Sequence, residues 1–179
     1  ITVESTPDYP TAEFIGQPVS GTAPLEVSFT DMSISGGGVP GGFAATIFCT
    51  NNMDALSVPL VYGFSPLATD GYDDDIDEYA PPAPPSGFDA ALVWQNDRYF
   101  TQILGETTDE RVFQIELGFP DSSITLSWDS EVLQGLGTFI LEDVFGGIFF
   151  SVNMLEESSL LLEDPAYDLL NLKVTPSGG

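Results

Sequence analysis

In the stretch Ser123-Ile124-Thr125-Leu126-Ser127-Trp128, hydroxyl side chains alternate with large apolar ones. Because successive side chains of a β-strand point to opposite faces of a sheet, this alternation predicts a strand with one buried and one exposed face. Trp128 is in phase with the apolar residues, so we assign it to the core. The same alternation recurs at 25–30, 148–154 and 170–174. Such half-buried strands are typical of antiparallel sheets.

Shorter strand-like segments fill much of the remaining chain, at 44–50, 60–64, 91–94, 99–104, 112–117 and 138–141. The chain contains 18 Gly and 14 Pro, and no window keeps an apolar period of 3.6 residues for three turns. The sequence therefore predicts an all-β protein, an antiparallel β-sandwich of jelly-roll-like form with about ten strands and almost no helix.

The charge balance is strongly acidic, with 28 Asp and Glu against three Lys and Arg and a formal net charge of −25. This field excludes nucleic acid as a partner and repels anionic membrane surfaces. No apolar run approaches the length of a membrane span, so we expect no membrane insertion. Three cations cannot neutralise 28 acids, so divalent cations or high salt must do so.

The residue types that support most catalytic sites are missing. The chain has no histidine and a single cysteine, Cys49, within an apolar stretch. A disulfide within the chain is therefore impossible, and we interpret Cys49 as a small buried apolar residue. Without histidine there is no Ser-His or Cys-His nucleophile pair, so we expect that the protein is not an enzyme.

The segment Asp70 to Glu78 packs six acids into nine positions. Oxygen ligands at alternate positions of a loop are what calcium accepts, so we predict a calcium site here. Glu78 stands where an EF-hand loop needs glycine, which excludes that motif. The alternatives are a solvated acidic loop and adaptation to high salt. The predicted ligands are Asp70, Asp73, Asp75, Asp77 and Glu78.

Residues 10–14 and 21–31 resemble the first two strands of a PKD-type immunoglobulin-like module. The aromatic strand that should follow in that family is missing. We therefore divide the chain into an arm at 1–36, a Gly-rich linker at 37–42 and a β-sandwich domain at 43–179. A lone hairpin is marginal in water, so the arm must complete a sheet, in its own domain or in a neighbouring molecule. The residues expected to pair in this way are Ile1, Val3 and Phe14.

A second resemblance covers residues 43–179 and rests on Tyr62 to Asp73, Pro81 to Ala90 and Ile124 to Asp129. These segments are similar to an all-β module of large secreted bacterial surface proteins, often near C-terminal sorting signals. The resemblance implies a β-sandwich and a secreted, extracellular location at the cell surface.

These patterns lead to three functional hypotheses. The first is a structural subunit or module of a bacterial surface filament, sheath or layer, self-associating by strand addition and stabilised by cations. The alternative is a calcium-dependent module that binds carbohydrate or a cell surface through exposed aromatic residues such as Trp94 and Tyr99. A hydrolase with two catalytic carboxylates is less favoured.

Overall fold

The computed structural model describes residues 42–119 and 123–177, together with the backbone of 14–17 and 28–31. The chain divides into two compact units, residues 1–39 and 40–179. In the first unit, β1 (Phe14–Gln17) pairs antiparallel with β2 (Ser28–Asp31). Ile1, Val3 and residues 37–41 of the predicted linker lie outside the described residues, so the assignments made for them stay predictions.

The second unit contains eleven strands and one short helix, α1 (Ser130–Leu133). The prediction of an all-β fold with almost no helix is confirmed. The strands are β3 (Phe43–Asn51), β4 (Ser57–Ser65), β5 (Glu78–Tyr79), β6 (Asp89–Trp94), β7 (Asp97–Gly105), β8 (Arg111–Gly118), β9 (Ile124–Trp128), β10 (Gly137–Asp143), β11 (Ser151–Asn153), β12 (Ser159–Leu162) and β13 (Leu169–Pro176).

These eleven strands form one mixed sheet in the order β11-β10-β13-β8-β6-β7-β4-β3-β9-β12, with β5 also paired to β7. Strands β4 and β7 run parallel, with Val61 opposite Thr101, and every other pair in the described sheet is antiparallel. Parallel neighbours need a long connection, and here residues 66–96 supply it. That connection contains the acidic segment.

The sheet curls nearly into a barrel, and one stretch of chain supplies both of its ends. Strands β11 and β12 are the two ends of the strand order, and only residues 154–158 separate them in sequence. The indole N–H of Trp128 donates to the carbonyl oxygens of Met154 (2.9 Å) and Glu157 (2.7 Å) in this connection. Trp128 therefore fastens β9 to the segment that closes the sheet.

The core lies inside the curled sheet and follows the predicted alternation. Ile124, Leu126 and Trp128 are buried in β9, as expected. Cys49 is also fully buried, and burial raises its thiol pKa to about 12. Among the residues whose side chains the structure describes, the buried core cluster runs from Ala45 to Val174 within the second unit.

The predicted strand at 148–154 is shorter than expected, since β11 begins only at Ser151. The backbone N–H groups of Phe149 and Phe150 donate to the Asp143 carboxylate, so neither is available to a neighbouring strand. Ile148 and Phe149 lie exposed in a loop instead of alternating into the core.

Replacing Leu126 by Ala should lower the free energy of unfolding by about 2–5 kcal/mol, because Leu126 has no exposed surface and its loss leaves a cavity. The matched control is Leu161→Ala on the paired strand β12, where the side chain is 55% exposed. That control should change stability by no more than about 0.5 kcal/mol. Urea unfolding measures the free energy of unfolding of both variants. Equal losses of stability would contradict the assignment of the buried and exposed faces of β9 and β12.

Candidate functional site

The acidic segment is held by hydrogen bonds from the backbone to its own carboxylates. The Asp73 carboxylate accepts from the Thr69 N–H (2.6 Å), and Asp77 Oδ2 accepts from the Asp73 N–H (2.9 Å). Asp77 is buried, and its Oδ1 accepts from the Ile103 N–H of β7 (2.7 Å). Asp77 thus anchors the segment to the sheet, a structural role that its position in the sequence did not indicate.

Each of the other three predicted metal ligands has a different environment. Asp70 Oδ2 pairs with Arg111 Nη2 (2.9 Å), Asp75 is exposed with φ at 70°, and Glu78 is exposed in β5. Within residues 42–119 and 123–177, no group of three or more His, Cys, Asp or Glu side chains is arranged to hold a metal. Within the segment, the backbone N–H of Asp73 links that residue to the Asp77 carboxylate. Calcium binding at this segment stays a prediction.

Three tyrosine rings stack beside the acidic segment. The centroids of Tyr72 and Tyr79 are 4.2 Å apart at 6°, and those of Tyr79 and Tyr99 are 5.2 Å apart at 27°. Burial and neighbouring acids raise the Tyr72 hydroxyl pKa, and burial is the first cause raising that of Tyr99 to about 12. Tyr72 and Tyr79 present the exposed part of this stack.

The aromatic pair suggested by the sequence is therefore not an exposed platform. Tyr99 is 2% exposed, because it lies opposite Leu92 in the ladder and faces the core. Trp94 is partly buried and packs against the same core. The exposed aromatic rings beside the acidic segment are those of Tyr72 and Tyr79, and their positions in the sequence follow no periodic pattern.

All three cations of the chain are paired with acids. Arg98 of β7 contacts both Asp89 of β6 and Glu116 of β8, the latter at 3.1 Å. Lys173 of β13 lies 3.6 Å from Glu110 and 3.8 Å from Glu142 of β10. With the Arg111 pair above, the cations neutralise acids on the side of the sheet built from β6, β7, β8, β10 and β13.

The other side of the sheet carries no charge. Strands β4, β3, β9 and β12 are consecutive in the strand order, and none of them contains Asp, Glu, Lys or Arg. Phe48 is 45% exposed and Leu161 is 55% exposed on this surface. We name it the charge-free face. Its outward residues are Thr46, Phe48, Thr50, Ser57, Pro59, Val61, Thr125, Ser127, Ser159 and Leu161.

A groove of about 350 Å³ lies at the border of this face, between β4 and β7. Pro59, Val61 and Phe100 form its apolar floor, with hydroxyl groups from Ser57 and Thr101 beside them. Glu78 is the acid among its lining residues.

An exposed apolar loop, residues 144–149, connects β10 to β11. Phe145 is 62% exposed, Ile148 75% and Phe149 63%, and the turn at Gly146-Gly147 adopts positive φ. The Asp143 carboxylate accepts from the N–H groups of Phe145 (2.8 Å), Phe149 (2.9 Å) and Phe150 (3.1 Å). One buried carboxylate therefore fixes the conformation of this apolar loop.

Comparison with protein families, with curated proteins and with solved structures found no match. Within the part of the chain that the structure describes, no helix is long and apolar enough to cross a membrane.

Replacing Asp143 by Asn should lower the free energy of unfolding at pH 7. The difference in free energy of unfolding between the wild-type protein and the variant should become smaller in acid. Burial raises the Asp143 pKa, but hydrogen bonds from three backbone N–H groups outweigh it and hold the pKa below its ordinary value. The stability from a lowered pKa is present above the unfolded value of about 3.9 and is lost as pH falls through the folded pKa. Urea unfolding of both proteins from pH 7 to pH 2 tests this, and a difference independent of pH would contradict it.

Proposed function

We propose that the chain is a structural module of an extracellular bacterial surface assembly, in which copies join by strand addition through the N-terminal unit. The observation that carries this proposal is the ladder of β1 and β2. It contains four residue pairs, and each strand has a second edge that pairs with no strand among the described residues. A two-stranded hairpin is marginal alone, whereas pairing with a second hairpin would give four strands.

The second unit suits the role of a rigid domain that paired hairpins would link to the next copy. The buried core cluster of its described residues draws on most of its strands, and its sheet nearly closes on itself. A nearly closed sheet offers few backbone groups to other chains, so strand addition is directed to the hairpin.

Cations enter the proposal because the copies repel one another. Each carries a formal charge of −25, and close packing of such chains requires neutralisation. We place calcium at the acidic segment, where the exposed Asp75 and Glu78 would add to the carboxylates of Asp70, Asp73 and Asp77. An extracellular location supplies calcium at the concentrations that weak carboxylate sites need.

Deleting residues 1–39 should abolish large assemblies while leaving the second unit folded, because the hairpin is removed and the core cluster of the described residues, 45–174, is retained. Light scattering of the full and shortened chains, in millimolar calcium and then in chelator, measures assembly. Circular dichroism is the control for folding. A shortened chain that forms the same assemblies as the full chain would refute strand addition through this unit.

A second candidate function is supported by the exposed tyrosines. Tyr72 and Tyr79 could stack on a sugar ring beside the acidic segment, as in a calcium-dependent carbohydrate- or surface-binding module. Neither proposal includes a catalytic role.

Replacing Tyr72 by Ala should weaken binding to a polysaccharide that the wild-type chain retains by at least about tenfold, since roughly 1.4 kcal/mol of stacking is lost. Phe145→Ala is the matched control, because it also removes an exposed ring but lies far along the chain from the acidic segment. Affinity electrophoresis in gels containing soluble polysaccharides measures retention. Equal retention of the two variants would rule out the tyrosine stack as the binding surface.

A further inference from the structure

We infer that the second unit holds a binding site for a neutral sugar, in a cavity lined by Trp94, Gln102 and Arg111. We call it the polar cavity. Its volume is about 270 Å³. Pockets for drug-sized molecules have volumes of roughly 300–1,000 Å³, so the polar cavity suits one sugar ring. The inference is independent of self-assembly and of the tyrosine stack, because neither Tyr72 nor Tyr79 lines this cavity.

Three neighbouring strands build the polar cavity. Strands β8, β6 and β7 are consecutive in the sheet order, and each supplies lining residues. Trp94 comes from β6, and Leu104 and Val112 add apolar surface from β7 and β8. The polar groups of the lining are one amide, one guanidinium and two carboxylates. Ligand pockets in proteins combine apolar and aromatic walls with a few placed polar groups in this way.

Two polar atoms of the lining are buried without a partner. Gln102 is 5% exposed, and its Oε1 accepts no hydrogen bond from the described residues. Nε of Arg111 is also buried and donates to none of them. Leaving a buried polar atom unpaired is destabilising, so such atoms are uncommon in native proteins. A donor and an acceptor that line one cavity are therefore both available to a ligand.

This pair of unsatisfied atoms matches a ligand with hydroxyl groups. A hydroxyl group both donates and accepts, so one hydroxyl oxygen would accept from the Arg111 Nε–H, and a neighbouring hydroxyl would donate to Gln102 Oε1. The Trp94 ring offers an apolar surface for the C–H face of a sugar ring. The chemistry of the lining thus favours a polyhydroxylated ring.

The charges around the cavity are balanced, which favours a neutral ligand. Asp70 Oδ2 lies 2.9 Å from Arg111 Nη2, and Glu110 Oε1 lies 3.6 Å from Lys173 Nζ. Two of the chain's three cations thus neutralise the two acids of the lining. An anion would approach a chain of net charge −25, and a cation would meet the Arg111 guanidinium. A neutral sugar avoids both penalties.

Nuclear magnetic resonance of the full-length chain tests the inference. The chain has two tryptophans, so an isotope-labelled sample gives two indole N–H signals, which Trp94→Phe assigns. Glucose, galactose and mannose are titrated separately to millimolar concentrations. At least one of them should shift the Trp94 signal in a saturable manner. The Trp128 signal should stay in place, because that indole donates to the Met154 and Glu157 carbonyls. No shift of the Trp94 signal with any of the three sugars would overturn the inference.

Replacing Gln102 by Leu should lower the affinity for that sugar by at least about tenfold, because the ligand hydroxyl loses its acceptor. The urea midpoint should stay the same or rise, since an unpaired buried oxygen is replaced by apolar atoms. Gln114→Leu is the matched control. The Gln114 amide donates to Asn171 Oδ1 (3.3 Å) and does not line the cavity, so this variant should lose stability and keep its affinity. A Gln102→Leu protein that loses stability but binds with unchanged affinity would contradict the inference.

Arg111→Lys supplies a second variant. Lysine keeps a positive charge opposite Asp70 but has no Nε–H, so affinity for the sugar should again fall by at least about tenfold. Unchanged affinity in this variant would overturn the inference even if the Gln102→Leu protein did not fold.

The same variants separate this inference from the proposed function. Tyr72→Ala should leave the shift of the Trp94 signal intact, and Gln102→Leu should scatter light like the wild-type chain in calcium. Loss of the shift in Tyr72→Ala, with the shift retained in Gln102→Leu, would assign sugar binding to the tyrosine stack and overturn the inference. Unchanged assembly after deletion of residues 1–39 would refute strand addition and leave the polar cavity as the binding site.

Discussion

The scarcity of positive charge shapes the distribution of acids over this sheet. Three cations serve 28 acids, and all three are placed on one side of the sheet. Arg98 joins β7 to β6 and β8, and Lys173 lies between the carboxylates of Glu110 and Glu142. Asp89, Glu116 and Glu142 of the sheet lie where a cation reaches them, and the strands β3, β4, β9 and β12 carry no charge.

Several carboxylates beyond the reach of these cations accept hydrogen bonds from backbone N–H groups. Asp73 and Asp77 order the acidic segment in this way, Asp129 caps α1, and Asp143 fixes the apolar loop. An ionised carboxylate that accepts several N–H groups is satisfied without a counter-ion. The acidic segment can therefore be ordered by the protein alone, and a bound cation would serve assembly more than folding.

The proposed strand addition is compatible with this constraint. Backbone pairing between hairpins needs no side-chain charge, and cations would offset the repulsion between acidic copies.

Much of the fold could be predicted from alternation in the sequence. The stretch 123–128 contains the strand Ile124–Trp128 with Ile124, Leu126 and Trp128 buried, because every second side chain of a strand points to the same face of the sheet. The same logic was wrong at Ile148, where the Asp143 carboxylate captures the N–H groups that a longer strand would need. An acid that binds a backbone five or more residues away leaves no periodic signal.

The candidate surfaces were less predictable than the strands. The sequence indicated the acidic segment, yet it could not show that Asp77 would be buried against Ile103 or that Tyr99 would face the core. The all-β class, the charge and the absence of histidine chemistry follow from composition and from the local period, so they can be read from the residues. That four charge-free strands are neighbours is visible only in the folded chain, because strand order depends on pairing between segments far apart in the sequence.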